Sequence, residues 1–224
     1  FWDNDKRPFD KDPRRNAFFP LHHGTTVFSA LSQELDDLKI AIYRFPAQGM
    51  CLFEDLIDHA AKVGVKIVNM SMGSYSRDDW ACFYDGAKKN PQMLFVISAG
   101  NDGFDIDSNP VFPASLDLGN MVVVTSSDQF GRLPPQSNYG RGSVDLMVPA
   151  EKVDVFDHRG VYTTAGGSSY AAPRVAALAA RYLKKNVGAS TADIIDFLKS
   201  RAINSKSKPT RFGWIPDPSD NFKF

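Results

Sequence analysis

The segment Met93-Leu-Phe-Val-Ile97 is an uninterrupted apolar run bounded by polar residues. A run this short, with β-branched and aromatic side chains, is typical of a strand that is buried on both faces of a sheet. Further apolar runs occur at 65–70, where Lys66 and Asn69 interrupt the pattern, and at 121–125, and amphipathic segments of helical period occupy 52–63 and 78–89. Short apolar strands that alternate with helices of about a dozen residues predict βαβ units and a parallel sheet.

Further helices and strands are predicted on both sides of this central stretch. Residues 1–22 have no periodic pattern and predict an extended loop, and we expect the Pro- and Lys-rich tail from residue 204 onward to run over the surface. The other predicted elements are helices at 25–35, 169–185 and 191–201, the last capped by Ser190, and strands at 40–45, 144–148 and 161–164. Residues 1–224 therefore predict a single α/β domain with a mainly parallel sheet and helices on both faces.

Composition excludes several classes of function. Lys plus Arg and Asp plus Glu both number 26, so the net charge is zero and provides no field for a nucleic acid or an anionic membrane. Nowhere do about 18 apolar residues follow one another, which argues against membrane insertion. We expect the two cysteines, Cys51 and Cys82, to be buried thiols, with a single disulfide as the alternative.

Three segments carry residues suited to chemistry at strand ends or helix starts. His23 precedes Gly24-Thr25 at a helix start, where the positive end of the helix dipole favours a neutral imidazole that can act as a base. Asn101 follows a predicted strand and offers an amide donor that can stabilise an oxyanion. Ser169 follows two glycines at the start of an apolar helix, and Ser168 is expected to cap that helix.

Each of these fragments alone has an ordinary explanation as a loop histidine, an Asn-Gly turn or a helix cap. Their order along the chain is more specific. With Ser71-Met-Gly73, Phe112-Pro-Ala-Ser115 and Ser137-Asn-Tyr-Gly140, the set resembles the subtilisin-like serine proteases, the subtilases, from about residue 22 to 201. The resemblance implies the three-layer subtilisin-like fold and a serine endopeptidase that forms an acyl-enzyme intermediate.

The resemblance also assigns roles to individual positions. It implies Ser169 as nucleophile, His23 as general base and Asn101 as the side-chain donor to the oxyanion, with the Ser169 backbone N–H as the second donor. It implies a peptide or protein substrate held between two strand edges, Ser71, Met72, Gly73 and Ser98, Ala99, Gly100, by backbone pairing. Val111 stands where many relatives have glycine at the floor of the specificity pocket, which predicts a preference for small or medium side chains before the scissile bond.

The catalytic aspartate of the family has no matching position. We expect it on a companion segment, together with the first core strand, upstream of residue 1, with Asp3 and Asp5 as fallback candidates. The alternative is a catalytically inactive module that binds peptides or regulates a partner. The sequence itself does not identify the location of the protein. Because members of the family are mostly secreted, the resemblance favours an extracytoplasmic location.

Three smaller features complete the prediction. Thr26 and Tyr170 replace a histidine and a methionine common in the family, and the loss of the methionine sulfur predicts an oxidant-tolerant site. Asp102, Asp105 and Asp107 form an acidic stretch; we expect a solvated turn, with structural Ca²⁺ as the alternative. No cofactor is expected.

Overall fold

The computed structural model describes residues 22–35, 37, 39–44, 49–203 and 209–219. The strands are β1 (Ile67–Met70), β2 (Leu94–Ser98), β3 (Met121–Ser127), β4 (Leu146–Pro149), β5 (Val153–Phe156), β6 (Tyr162–Ala165) and β7 (Gly213–Trp214). The helices are α1 (His23–Gln33), α2 (Leu52–Lys62), α3 (Ala81–Lys89), α4 (Ser168–Lys185) and α5 (Thr191–Arg201), and a 3₁₀ turn at Asp78–Trp80 precedes α3.

A five-stranded parallel sheet in the order β1-β2-β3-β4-β7 forms the centre, and β5 and β6 form a separate antiparallel hairpin. The alternation of side chains along β2 explains the layers. Leu94 and Val96 join a cluster with α1, α4 and α5, whereas Phe95 and Ile97 join one with α2 and α3. Because β2 is buried on both faces, its sequence is apolar from Leu94 to Ile97, and only its last residue, Ser98, is polar. The predicted α/β class with helices on both faces is confirmed.

Two predictions about individual segments were wrong. Residues 40–44 form no strand, and Ile40 and Ile42 remain 39% and 50% exposed. The C-terminal segment, expected to lie on the surface, returns into the sheet: β7 pairs with β4, and Ile215 is fully buried. A strand of two residues is too short to leave a periodic signal in the sequence.

The expectation of two thiols was also wrong, because Cys51 and Cys82 form a disulfide. Cys51 lies just before α2 and Cys82 lies in the first turn of α3, and these two helices pack against each other. Their Cα atoms are 4.9 Å apart, within the range that a disulfide spans. Only the docking of the helices brings together residues that are 31 positions apart.

Helix α5 begins where its sequence predicts. The Ser190 side chain accepts a hydrogen bond from the Asp193 N–H, and the Asp193 carboxylate accepts from the Ser190 N–H. This reciprocal capping box satisfies donors that the first turn of a helix leaves without partners.

Candidate active site

Ser169 lies in the first turn of α4, at the carboxyl-end edge of the sheet. The helix begins at Ser168 with Gly167 as its N-cap, so Ser168 does not cap the helix as expected. Gly167 has a φ of 112°, and a β-carbon there would lie 2.8 Å from Asn101 Oδ1. Glycine is required at this position by both backbone conformation and space. The Ser168 hydroxyl instead accepts a hydrogen bond from the Gly100 N–H at 3.0 Å.

Asn101 is fixed against the start of α4. Its Oδ1 accepts a hydrogen bond from the Ser168 N–H at 2.8 Å, which leaves the amide Nδ2 as the donor end of the side chain. The Ser169 N–H belongs to the first turn of α4, where backbone donors have no partner within the helix. Two N–H donors therefore lie at the same helix start, one from Asn101 and one from Ser169.

The backbone of Ser169 is held from the β1 side of the sheet. In a regular helix its carbonyl would accept from the N–H of residue 173, but residue 173 is proline and has no N–H. The Ser71 hydroxyl donates to that carbonyl instead, at 2.7 Å. Asn69 Nδ2 in turn donates to Ser71 Oγ at 3.3 Å. Ser71 was predicted as part of a substrate-binding edge. Its hydrogen bond to the Ser169 carbonyl is a structural role that the sequence did not indicate.

His23 is the first residue of α1, which packs against α4. Its imidazole lies edge-on to the ring of Tyr170, the residue after Ser169, with ring centroids 6.2 Å apart. Desolvation by the surrounding protein lowers the pKa of His23 below its ordinary value, which favours the neutral form that a general base needs. Among the described residues, no hydrogen bond joins the imidazole to the Ser169 hydroxyl, and no carboxylate hydrogen-bonds to the imidazole.

A cleft of about 290 Å³ opens beside Ser169. Its lining includes most of the positions predicted to bind substrate, and Ala99, which is fully buried, lies behind it. The residues that line it are Met72, Gly73, Ser74, Tyr75, Ser98, Gly100, Asn101, Asp102, Val111, Ser168 and Ser169. Ser169 and Asn101 therefore share one cleft, while His23 stands beside Tyr170 on the neighbouring helix.

Val111 forms part of the wall of this cleft and lies next to Gly73. Its side chain is 6% exposed, and a β-carbon built on Gly73 would lie 3.5 Å from Val111 Cγ1 and 2.9 Å from the Phe112 carbonyl oxygen. At the rim, the Tyr75 hydroxyl hydrogen-bonds to the Asp102 carboxylate, and this bond raises the pKa of the Tyr75 phenol. No sequence motif identified Tyr75 and Asp102 as a pair at the rim.

The two predicted substrate edges differ in their backbone contacts. The Ala99 N–H donates to the Val124 carbonyl, and the Ala99 carbonyl accepts from Asn138 Nδ2. Gly100 is engaged in the same way, through the Ser168 hydroxyl and the Asn138 N–H. By contrast, among the described residues no hydrogen bond occupies the backbone groups of Met72 and Gly73.

Asn138 supports the loop that carries Asn101. Its side chain accepts from the N–H groups of Asp102 and Phe104, both at 2.9 Å, while its amide donates to the Ala99 carbonyl. The residue is fully buried, and a β-carbon on Gly100 would lie 2.5 Å from its Nδ2. Its motif, Ser137-Asn-Tyr-Gly140, was visible in the sequence, but only the tertiary contacts give the asparagine a role.

The carboxylates that the sequence offered lie elsewhere. Asp3 and Asp5 fall outside the described residues. Asp107 accepts hydrogen bonds from the N–H groups of Gly142 and Ser143. Desolvation raises the pKa of the Asp107 carboxyl, but these hydrogen bonds outweigh it and the pKa is lowered. Within the described ranges, no three His, Cys, Asp or Glu side chains cluster as metal ligands would. No helix there has the length and apolar character to cross a bilayer.

This fold and this cleft define a class of protein, the subtilisin-like α/β proteins. Residues 3–214 match the family described as the subtilase family, and the chain belongs to that family. The chain is 28% identical over 197 residues to the thermophilic serine proteinase of Bacillus sp. strain AK1, covering 80% of this chain and 45% of that protein. It is 32% identical over 154 residues to alkaline elastase YaB of Bacillus sp. strain YaB, covering 69% of this chain and 39% of that protein. It thus spans less than half the length of these curated relatives.

Solved structures agree with this assignment. A cold-adapted subtilisin-like serine proteinase aligns with a TM-score of 0.69 and 27% identity, over 86% of this chain and 72% of that chain. A lanthipeptide protease aligns with a TM-score of 0.73 over 88% and 74% of the respective chains; at 21% identity, this match supports the fold alone.

Proposed function

We propose that this chain is the catalytic part of a serine endopeptidase. The observation that carries the proposal is the joint placement of Ser169 and Asn101 in one cleft, with the Asn101 amide oriented by the Ser168 N–H. Family membership supports the same reaction class. Such a fixed donor stabilises developing charge without having to reorganise during the reaction.

In this proposal the Ser169 hydroxyl attacks the carbonyl carbon of the peptide bond and gives its proton to His23. The oxyanion accepts hydrogen bonds from Asn101 Nδ2 and the Ser169 N–H. His23 then gives the proton to the leaving amine, and the peptide C–N bond breaks to leave an acyl group on Ser169. Water, deprotonated by His23, releases the acyl group.

The substrate is proposed to be an extended peptide segment that pairs with Met72 and Gly73. These residues have backbone groups without partners among the described residues, and pairing with them would add a strand to the protein. Ala99 and Gly100 have their backbone groups engaged within the protein, so we assign the Ser98–Gly100 segment to the wall of the cleft. Val111 narrows that cleft and supports a preference for small or medium side chains.

A companion segment that carries a carboxylate for His23 is a further part of the proposal. Within the described residues, no strand pairs with the outer edge of β1. Ile67, Val68 and Asn69 are only half-buried, although strands of a parallel sheet are ordinarily covered on both faces. Asn69 Oδ1 is buried and has no hydrogen-bond partner there. An added strand along this edge would cover these groups, and an aspartate at its carboxyl end would lie on the active-site side of the sheet.

Labelling with a fluorophosphonate tests the reaction. The native protein should acquire one covalent adduct on Ser169, located by peptide mass analysis, and the Ser169→Ala variant should acquire none. A folded native protein that stays unlabelled favours the inactive peptide-binding module, the alternative reading. Because a fluorophosphonate reports on an activated serine, peptide cleavage products must also be sequenced to establish endopeptidase activity.

The intact mass and N-terminal sequence of native material test the companion segment. We expect a second polypeptide, or an extension of this one, that contains an aspartate and remains associated with the protein. Full activity in a preparation whose mass equals that of residues 1–224 alone would contradict the companion segment and leave the proposed reaction unaffected.

The Cys51–Cys82 disulfide supports an extracytoplasmic location, since disulfides persist in oxidising compartments.

A further inference from the structure

The side chains of Thr26 and Tyr170 meet at the junction of α1 and α4. Thr26 Oγ1 and the Tyr170 hydroxyl are 2.9 Å apart, although the residues are 144 positions apart in the sequence. Tyr170 is 8% exposed and belongs to the apolar cluster on this face of the sheet. Both are positions at which the sequence departs from the residues common in the family.

The direction of these hydrogen bonds follows from counting protons. The Thr26 hydroxyl also donates to the His23 carbonyl at 2.9 Å. A hydroxyl has a single proton, so it must accept from Tyr170 while it donates to His23. The two hydrogen bonds therefore form a series in which the Tyr170 hydroxyl donates to Thr26, and Thr26 donates to the backbone carbonyl of His23. Because Tyr170 directly follows Ser169, this chain links the backbones of the proposed base and nucleophile.

Other polar contacts hold α1 in its middle and at its far end. The Ser29 hydroxyl accepts a hydrogen bond from the Phe156 N–H, and Gln33 Nε2 donates to the Asp154 carbonyl. Glu34, just beyond the helix, pairs with Arg174 and Arg181 of α4. That cluster is 11 residues from His23, about 16 Å along a helix axis. At the His23 end, His22 provides no side-chain cap, and its ring stacks on that of His158 with centroids 3.7 Å apart. None of these contacts joins the first turn of α1 to the start of α4, and a displacement of 1 Å between catalytic groups costs as much as ~10²-fold in rate.

We propose that Tyr170 and Thr26 form a positioning pair that fixes His23 relative to Ser169. The Tyr170 ring sets the lateral position of the imidazole through its edge-on contact, and the hydroxyl pair sets the height of the first turn of α1 on α4. Neither residue lines the cleft, so the pair acts on the chemical step and not on substrate binding. This role rests on the proposed function of His23 and Ser169.

The test compares Tyr170→Phe, Thr26→Val and the double variant in the full protein, by peptide hydrolysis and by the rate of fluorophosphonate labelling. Phe and Val preserve the shapes of the replaced side chains and remove only the hydroxyls. Each single variant should lower kcat roughly fivefold to tenfold with KM changed less than about twofold, a loss of the size that one hydrogen bond supplies. The double variant should be no slower than the slower single variant, because the two changes break the same link.

Two controls separate positioning from general stability. Thr26→Ser keeps the hydroxyl and should restore kcat to within about twofold of the original protein. Tyr182→Phe makes the same chemical change further along α4, where the ring stacks on Phe197, and should leave kcat unchanged. Urea unfolding of every variant shows whether a slow variant is simply less folded.

The outcomes distinguish the two proposals. An original protein that does not react with the fluorophosphonate overturns the proposed function and this role with it. A reactive original protein whose single variants keep their kcat, or whose losses multiply in the double variant, overturns the positioning pair alone. A matching loss of kcat in Tyr182→Phe also overturns it.

Discussion

The two helix starts that carry Ser169 and His23 are held very differently. The start of α4 is fixed by Asn101, by Gly100 through the Ser168 hydroxyl, and by Ser71. The start of α1 has the Thr26–Tyr170 link and the edge-on contact of His23 with Tyr170. The start of α4, called here the nucleophile end after the role proposed for Ser169, is thus preorganised by polar contacts from two neighbouring strand ends. The start of α1, called the base end after the role proposed for His23, has in addition only the ring stacking of His22 on His158 among the polar and ring contacts that its side chains make with other parts of the described chain. We expect substitutions at the two ends to have effects of different size and kind.

The largest effect is expected from removing the Asn101 donor. Asn101→Ala and Asn101→Asp should both lower kcat by about 10²–10³ or more, as the loss of one oxyanion donor does. Asn101→Asp keeps an oxygen that can accept from the Ser168 N–H, so it preserves the contact to α4 while removing the donor. Steady-state hydrolysis of one peptide measures both. An Asp variant with the original kcat would mean that Asn101 serves only as a structural anchor.

The next largest effect concerns the side chain accepted by the cleft. Val111→Ala removes two methyl groups from the cleft wall next to Gly73. The ratio of kcat/KM for a substrate with Phe before the cleaved bond to kcat/KM for one with Ala there should rise roughly tenfold. A peptide library with varied residues at that position provides the measurement. The activity on the alanine substrate serves as the control for folding. Efficient cleavage after Phe or Tyr by the unsubstituted protein would contradict the proposed narrowing.

Ser71 and Pro173 provide a test within the nucleophile end. Ser71→Ala leaves the Ser169 carbonyl without its partner and should lower kcat roughly tenfold. Adding Pro173→Ala supplies the N–H that a regular helix gives to that carbonyl, so the double variant should recover most of the loss. Hydrolysis rates of the two single variants and the double variant decide the matter. A double variant as slow as Ser71→Ala would show that the serine acts by another route.

A smaller effect is expected in the pH dependence of the base end. Desolvation lowers the pKa of His23 below the ordinary 6.5, so the acid limb of kcat/KM should fall below pH 6.5 when no carboxylate pairs with the imidazole. A companion aspartate favours the protonated imidazole and should move the limb to higher pH. Comparing the pH profiles with and without the companion segment checks this; identical acid limbs would contradict a carboxylate partner.

The lowered pKa of His23 also affects stability. Since the unfolded chain binds the proton more readily, His23 makes the fold less stable as pH falls through 6.5.

The smallest effect is expected from oxidation. Tyr170 has no sulfur, so dilute peroxide should leave hydrolysis almost unchanged. Met72, which lines the cleft and is half-buried, is the thioether to control for, by Met72→Leu. Rapid inactivation that persists in Met72→Leu and maps to the segment around Ser169 would refute this tolerance.

Much of the fold could be predicted because its signals are local. The apolar run at 93–97 becomes β2, buried on both faces, and Ser190 with Asp193 forms the predicted cap of α5. The wrong predictions involve partners distant in sequence. Residues 40–44 carry a strand-like pattern but have no strand beside them among the described residues, and Gly213–Trp214 pairs with β4 without any pattern of its own.

The sequence by itself determined the α/β class, through the period of its apolar residues, and it marked Ser169, Asn101 and His23 through short motifs. Only the tertiary structure decided what holds those side chains: Pro173 leaves a carbonyl that Ser71 occupies, and Thr26 meets Tyr170 across 144 positions. It also decided the Cys51–Cys82 pairing. The physical reason is that hydrophobic periodicity is set by each residue's neighbours in the chain, whereas a hydrogen bond or disulfide between distant segments exists only after the layers have packed.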